Sequence, residues 1–242
     1  MTVLTPPVPE ATADLARAAL DAYCAGHATR PAALEELRSS YDPPAGPLLA
    51  WAHEIATPAG FPLLGTSLSA PVYPALVWNG ARLDALRPAP DWAPLLAALA
   101  SADADTGLDR VGAALAAADV VRRQAAALLA SDTLPAAVPT LSTLAAATAA
   151  ALAGPEQGEG LERILDLAAG LTVLTPGPFT APVAGLCTGH GAASGWLAAT
   201  LPAEAATPMP GSVAHTLSVA AGYAVPGEGA PASVAALLAS LR

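Results

Sequence analysis

Apolar side chains recur every three or four positions along most of the chain, in segments separated by proline and glycine. This spacing puts them on one face of a helix, whereas a half-buried strand needs strict alternation of apolar and polar positions. No strand pattern competes with the helical one, and we expect a loop at residues 58–62. The sequence therefore predicts an all-α fold. The predicted helices cover about 9–24, 32–38, 48–55, 71–86, 92–102, 106–129, 142–152, 161–169, 191–201, 212–221 and 233–241.

Two of the long segments that contain no aspartate, glutamate, lysine or arginine bear on the fold. They lie between Asp132 and Glu156 and between Asp166 and Glu204, and His190 is the only histidine in them. The first is long enough to cross a bilayer, but threonine and serine interrupt it, so we predict a buried helix. The second is rich in glycine and proline before residue 191. Such a segment covers a pocket, lies in a subunit contact or connects parts of the core.

Composition and charge exclude several classes of protein. Hydrophobic residues make up 54% of the 242 residues and charged residues 12%, which is ample for a core and unlike a disordered chain. The net charge is −10 and the ten basic residues are scattered arginines, which argues against a nucleic-acid partner. The chain contains no lysine. This excludes Schiff-base and pyridoxal chemistry and a Walker-type phosphate loop.

The sequence predicts neither a membrane partner nor a bound cofactor. The N-terminal segment lacks the basic and hydrophobic regions of a signal peptide, so we expect a cytoplasmic protein. Cys24 and Cys187 are too few for a disulfide framework, and the four histidines show no metal-ligand spacing. We therefore expect no metal and no organic cofactor.

Carboxylates, histidine, cysteine and tyrosine remain as candidates for acid–base chemistry. Asp84 and Arg87 lie three residues apart on one face of a predicted helix, and Asp91 follows next to Trp92. An exposed ion pair and a helix cap would explain the same spacing. His190 lies at the predicted start of a helix, where the helix dipole would favour the neutral imidazole. A capping or core histidine would fit that position as well.

Four strings occur in an order that is typical of one family. They are Leu63-Leu-Gly-Thr66 followed by Pro71 and residues 75–81, then residues 107–115, 144–152 and 189–199. In this order they resemble the strings "LGT … P..AAlvNGa", "G.ellrAl", "faAAaAAarLlGl" and "GrAA..G.lAA" of the MmgE/PrpD superfamily, which includes 2-methylcitrate dehydratase and cis-aconitate decarboxylase. The resemblance covers about residues 10–201 and implies the helical domain that forms the family's homodimer.

The resemblance also implies a domain organisation. In the family a second, α+β domain follows the helical one and caps the active site. The strings here match the helical domain alone, so we expect a single all-α domain over residues 1–242, without the α+β domain. Residues 202–242 would form a short helical extension of that domain.

The positions that carry chemistry in the family hold other residues here. By the resemblance, Asp84 stands at a family histidine and Arg87 at a family aspartate. The second family histidine falls near residues 134–136, which contain none. Ala184 stands at the family lysine and Cys187 at another histidine. These replacements imply that the pocket serves another reaction or binds without catalysis.

Two hypotheses follow from the sequence. The first is a cofactor-independent lyase, isomerase or cyclase acting on a small or specialised metabolite, in which Asp84, Asp91 or His190 moves a proton and Arg87 holds a carboxylate or polarises a carbonyl. The alternative is a catalytically inactive helical homodimer that binds a ligand or stabilises a partner enzyme. In the first hypothesis the further substrate contacts come from Asn79, Trp92, Cys187 and Trp196.

Overall fold

The computed structural model describes residues 44, 46–86, 92–103, 106, 108–127, 129, 134–155, 160–173 and 183–220. Within these residues the chain forms eight helices packed together and one pair of short strands. The helices are α1 (Pro47–Ile55), α2 (Val72–Leu86), α3 (Ala93–Ser101), α4 (Leu108–Ala127), α5 (Leu134–Ala153), α6 (Leu161–Gly170), α7 (Val183–Thr200) and α8 (Ser212–Ala220). The strands β1 (Phe61–Pro62) and β2 (Ser69–Ala70) pair in antiparallel register.

The prediction of a mostly helical protein is confirmed for the described residues, with three local corrections. The predicted loop at residues 58–62 contains β1. Helix α5 begins eight residues earlier than predicted, and Pro139, which suggested a break, lies inside it, where its missing N–H removes one backbone hydrogen bond. Helix α7 also begins eight residues earlier than predicted. The predicted helices at 9–24, 32–38 and 233–241 lie outside the described residues.

Helix α5 is the central helix of the fold. Every residue from Pro139 to Ala151 is buried, and α3, α4, α6 and α7 pack around it. The hydroxyls of Thr143 and Thr148 donate to the carbonyls of Pro139 (2.8 Å) and Leu144 (2.9 Å), so these buried polar groups are paired. The prediction of a buried helix here is confirmed. None of the helices in the described part of the chain has the length and apolar character needed to cross a membrane.

A tight loop between β1 and β2 precedes α2. Gly65 takes a left-handed conformation (φ 77°), which side-chain-bearing residues rarely adopt. The Thr66 hydroxyl closes the turn by donating to the carbonyl of Leu63 (3.0 Å). Leu63 and Leu64 are buried, and the indole N–H of Trp78 in α2 donates to the carbonyl of Leu64 (3.2 Å). The loop is therefore fixed against the start of α2 by both apolar contact and hydrogen bonds.

Several charged side chains bind the ends of helices. Arg110 donates to two carbonyls at the C-terminal end of α5, and Arg163 donates to the carbonyl of Leu201 just after α7 (3.0 Å). The buried carboxylate of Asp166 accepts two backbone N–H groups at the start of α8, at 3.0 and 3.1 Å. The arginines pair carbonyl groups at C-terminal helix ends and the aspartate pairs N–H groups at an N-terminal end, which the helix leaves without partners. Each charge is also opposite in sign to the end of the helix dipole that it faces. These three charged side chains therefore stabilise the fold.

Candidate functional site

His190 lies in the middle of α7 and not at a helix start. The helix covers Val183–Thr200, so His190 has more than one turn of helix on either side. The expectation that a helix N-terminus favours its neutral imidazole is therefore wrong, because the dipole acts within the first and last turns. Of the glycines before residue 191, Gly185 and Gly189 lie inside this helix. The surroundings of Gly189 on α2 explain why glycine is needed there.

One face of α7 packs directly on the backbone of α2. A Cβ atom placed on Gly80 would lie 2.2 Å from the Cα of Gly189, and a Cβ placed on Gly189 would lie 2.3 Å from the carbonyl oxygen of Val77. Cβ atoms do not approach backbone atoms this closely. Both positions must therefore be glycine for the two helices to cross at their observed separation.

The crossing brings Tyr73 of α2 to His190 of α7. The Tyr73 hydroxyl lies 3.3 Å from Nδ1 of His190, and the two rings meet edge to face with centroids 6.3 Å apart. One turn further along α7, the Ser194 hydroxyl lies 3.2 Å from Nε2. A hydroxyl can donate or accept, so this arrangement allows the imidazole proton on either ring nitrogen. The three side chains form one polar chain, Tyr73–His190–Ser194.

Ser194 is not placed as a nucleophile. It is only 2% exposed and lies within α7. A hydrolase nucleophile instead occupies a sharp turn between a strand and a helix, in a Gly-x-Ser-x-Gly string. The string Gly191-Ala-Ala-Ser194-Gly195 lacks this spacing. Contact between a serine and a histidine therefore does not indicate acyl transfer in this protein.

A cavity of about 200 Å³ lies beside His190, between α5, α7 and the chain that follows α6. Two residues predicted from the sequence, Cys187 and His190, meet there. The hydroxyl of Thr143 already donates to Pro139, so it offers the cavity only an acceptor. The imidazole is the one strong proton-transfer group among the described lining residues. These residues are Pro139, Thr143, Val173, Leu186, Cys187, His190 and Gly191.

The opposite face of α7 contacts α5 unevenly along its length. A Cβ placed on Gly195 would lie 2.5 Å from the backbone nitrogen of Ala147, so the helices are in direct backbone contact there. A Cβ placed on Gly191 would lie 3.4 Å from both the Ser142 Cβ and the Thr143 hydroxyl, which is ordinary van der Waals separation. The helices are therefore less tightly packed at Gly191, at the end where the cavity lies.

Asn79, predicted to contact substrate, holds the β1–β2 loop. It is 1% exposed. Its Oδ1 accepts the backbone N–H of Leu64 (2.9 Å) and its Nδ2 donates to the carbonyl of Pro62 (2.9 Å). Both the oxygen and the nitrogen of the Asn79 amide are therefore hydrogen-bonded to the backbone, as is usual for buried polar groups. Asn79 is not among the described residues that line the cavity.

The two tryptophans predicted to contact substrate lie in or against the apolar core that includes α2 and α3. Trp92 is buried there, and the partly buried Trp196 of α7 packs against the same core. Neither is among the described residues lining the cavity beside His190. Both side chains contribute apolar contacts to the packing of the helices.

The side chains of the three predicted charged residues lie outside the described part of the structure. Arg87 and Asp91 lie outside the described residues, and for Asp84 only the backbone, in the last turns of α2, is described. Their contact with the cavity stays a prediction. Within the described part of the chain, no group of three or more histidine, cysteine, aspartate or glutamate side chains is placed to hold a metal ion.

Sequence reasoning missed Tyr73, Thr143 and Ser194 at this site. Tyr73 and His190 are 117 residues apart, so no local spacing links them. Ser194 follows His190 by one helical turn, and this spacing was a usable signal. It was overlooked because the predicted helix started after His190.

Comparisons with known proteins do not narrow the function of this site. The chain matches no protein-family model, no curated protein and no solved structure. The MmgE/PrpD resemblance stays an expectation from short strings, and the function has to be inferred from the side chains themselves.

Proposed function

We propose that this protein is a cofactor-independent lyase, isomerase or cyclase that acts on a small metabolite by acid–base chemistry, in a diverged helical domain of MmgE/PrpD type. The observation that carries the proposal is the placement of His190. Its imidazole lines the cavity, and each ring nitrogen lies within hydrogen-bond distance of a hydroxyl. Imidazole takes up and releases protons near neutral pH, which suits it to this role.

The proposed step is a proton transfer that needs no other reagent. A ring nitrogen of neutral His190 takes a proton from the bound molecule, and the resulting imidazolium carries an N–H on both nitrogens. Each ring nitrogen already faces a hydroxyl, so one of the two hydroxyls turns aside to admit the substrate. The other hydroxyl accepts the remaining N–H and stabilises the charge. Return of the proton to another atom completes an isomerisation or cyclisation, and its return to a leaving hydroxyl completes an elimination.

Cys187 and Asp84 have secondary roles in this proposal. Cys187 lies three residues before His190 on α7 and lines the same cavity, so it contacts the bound molecule. Asp84 belongs to α2, which crosses α7 at Gly80, and we assign it the second proton-transfer group on the strength of its position in the sequence. Arg87 and Asp91 remain sequence-based candidates for holding the polar group of the substrate.

The proposal is tested by following hydrogen exchange at carbon in D₂O. The purified protein is incubated with a small-metabolite extract in D₂O, and mass spectrometry identifies metabolites that gain deuterium, lose water or rearrange. We expect at least one such change with the wild-type protein and its loss with His190→Gln, since glutamine cannot act as a base. His53→Gln is the matched control, because His53 is exposed on α1. If no change depends on His190, the proposal is wrong.

The rival function is binding without catalysis. The observation that favours it is the shortage of proton-transfer groups: among the described lining residues, His190 and Cys187 are the only titratable side chains. A binding protein would retain a metabolite through purification and return it unaltered. Mass spectrometry of the denatured protein's supernatant, together with an unchanged metabolite pool in D₂O, would support this alternative.

A further inference from the structure

We infer that the cavity beside His190 takes a neutral, mainly apolar molecule with one carbonyl or hydroxyl group, and not a carboxylate. This inference specifies the ligand class and rests on the proposed function for the identification of the cavity as the site. It departs from the substrates that the family resemblance implies, which are carboxylic acids. Three features of the cavity lead to it: the charge of its walls, its size and the character of its exposed lining residues.

The cavity walls come from chain segments without charged residues. Pro139 and Thr143 belong to the stretch between Asp132 and Glu156, and every other described lining residue belongs to the stretch between Asp166 and Glu204. Neither stretch contains an aspartate, glutamate, lysine or arginine at any position. An ionised carboxylate moved from water into these described walls loses solvation, and His190 is the one basic side chain among them. These walls therefore favour a neutral ligand.

The volume of the cavity suits a small molecule. An apolar cavity of about 150 Å³ holds benzene. The cavity beside His190 has a volume of about 200 Å³. Scaled from benzene, it suits a molecule of about eight non-hydrogen atoms, such as a substituted ring or a short branched chain.

The exposed lining residues of the cavity are apolar. Val173 is 43% exposed and Leu186 is 41% exposed, and both line the cavity. Exposed aliphatic side chains at the edge of a pocket favour the binding of an apolar molecule over that of an ion. Among the lining residues, His190 can donate to a carbonyl or accept from a hydroxyl when one of its two hydroxyl partners turns aside, and the Thr143 hydroxyl can only accept.

The ligand class is tested with acetophenone and benzoate as probes. The two molecules have nearly the same shape and size and differ in charge, and ligand-observed NMR measures the binding of each. We expect acetophenone to bind at least tenfold more tightly than benzoate. We expect Gly191→Ala to weaken the binding of acetophenone at least tenfold, because the added methyl group lies beside Thr143 at the cavity. Gly170→Ala is the control, since its added methyl meets nothing within 4 Å.

A second variant tests the charge argument even if Gly191→Ala folds poorly. Leu186→Arg places a cation at an exposed lining position, and we expect it to reduce the preference for acetophenone over benzoate at least fivefold. Equal or tighter binding of benzoate by the wild-type protein would overturn the inference. So would failure of both probes to bind, or acetophenone binding that neither variant alters.

The binding test separates this inference from the proposed function. Because it involves no turnover, acetophenone that binds in the expected way while no metabolite reacts in D₂O would leave the ligand class standing and remove the enzyme proposal. If the protein reacted only with carboxylic acids, and did so through His190, the enzyme proposal would stand and the inferred ligand class would be wrong.

Discussion

The two faces of α7 use glycine for different purposes. Towards α2, Gly189 allows the backbones of two helices to touch, and a methyl group there would lie 2.3 Å from a carbonyl oxygen. Towards α5, Gly191 lies at ordinary contact distance from its neighbours, beside the cavity that holds His190. The two glycines are separated by one residue in the sequence. One is required by packing, and at the other an added methyl group would make only ordinary contact with α5.

The contacts of these residues also explain part of the four strings that resemble the MmgE/PrpD superfamily. Asn79, Gly80 and Gly189 belong to those strings, and the structure uses them to fix the β1–β2 loop and the crossing of α2 with α7. Of the polar side chains around the cavity, His190 and Ser194 lie inside the string at residues 189–199, whereas Tyr73 and Cys187 lie outside all four strings. Similarity in such strings therefore indicates how the helices pack more directly than it indicates an enzymatic activity.

The largest expected effect comes from adding a methyl group at the α2 face. Gly189→Ala should destabilise the protein by about 3 kcal/mol or prevent folding, because the backbone of α2 cannot move away without breaking the crossing. Gly191→Ala should leave the stability unchanged or raise it by up to about 1 kcal/mol, since alanine favours helix over glycine. Chemical denaturation followed by circular dichroism measures both.

Gly170→Ala is the control for the intrinsic gain of alanine, because Gly170 ends α6 with no atom near its added methyl. The comparison of the two faces would be contradicted if Gly189→Ala and Gly191→Ala had equal stability.

The next largest effect concerns the loop held by α2. Asn79→Ala removes two hydrogen bonds and leaves the buried N–H of Leu64 unpaired, which should cost about 2–3 kcal/mol. Asn79→Asp keeps the acceptor for Leu64 but turns a carboxylate oxygen towards the carbonyl of Pro62. Burial favours the protonated acid, which can donate to that carbonyl, so the stability of Asn79→Asp should rise as the pH falls. Denaturation at neutral and acidic pH, with the wild type as the reference, tests this.

If Asn79→Asp were as stable as wild type at neutral pH, the paired role of the amide would be wrong.

A smaller effect is expected from the hydroxyls that contact His190. Tyr73→Phe and Ser194→Ala should each cost about 1 kcal/mol, the usual contribution of one hydrogen bond. Each should also shift the balance between the two tautomers of His190, which ¹⁵N spectra of the ring nitrogens report. Ser67→Ala, at an exposed position of the β1–β2 loop, should do neither. An unaltered ring spectrum in both variants would remove Tyr73 and Ser194 from the site.

The sequence predicted most helices because their apolar spacing is a local property. Helices α1, α2, α3, α6 and α8 begin and end within about two residues of the prediction. The starts of α5 and α7 were missed because proline and glycine often mark helix ends. Pro139 lies inside α5, and Gly189 lies inside α7, where its lack of a side chain allows contact with the backbone of α2.

The candidate site was predictable only in part. His190 was predicted from its place at a predicted helix start and Cys187 from its place at a family histidine, and the structure places both on one cavity. The partner Tyr73 comes from α2, and the apolar walls come from α5 and the end of α6. Nothing in the spacing along the chain relates these elements. Their meeting depends on the glycine crossing, which is visible only in three dimensions.

The most direct test of the account is the imidazole spectrum of His190 during a titration with acetophenone. With ¹³C-labelled histidine, the His190 signal should move with saturation in the wild-type protein while the signal of the exposed His53 stays in place. The same titration of Gly191→Ala should leave the His190 signal nearly unmoved. A His190 signal that does not respond in the wild-type protein, or one that responds equally in Gly191→Ala, would contradict the claim that this cavity is the ligand site.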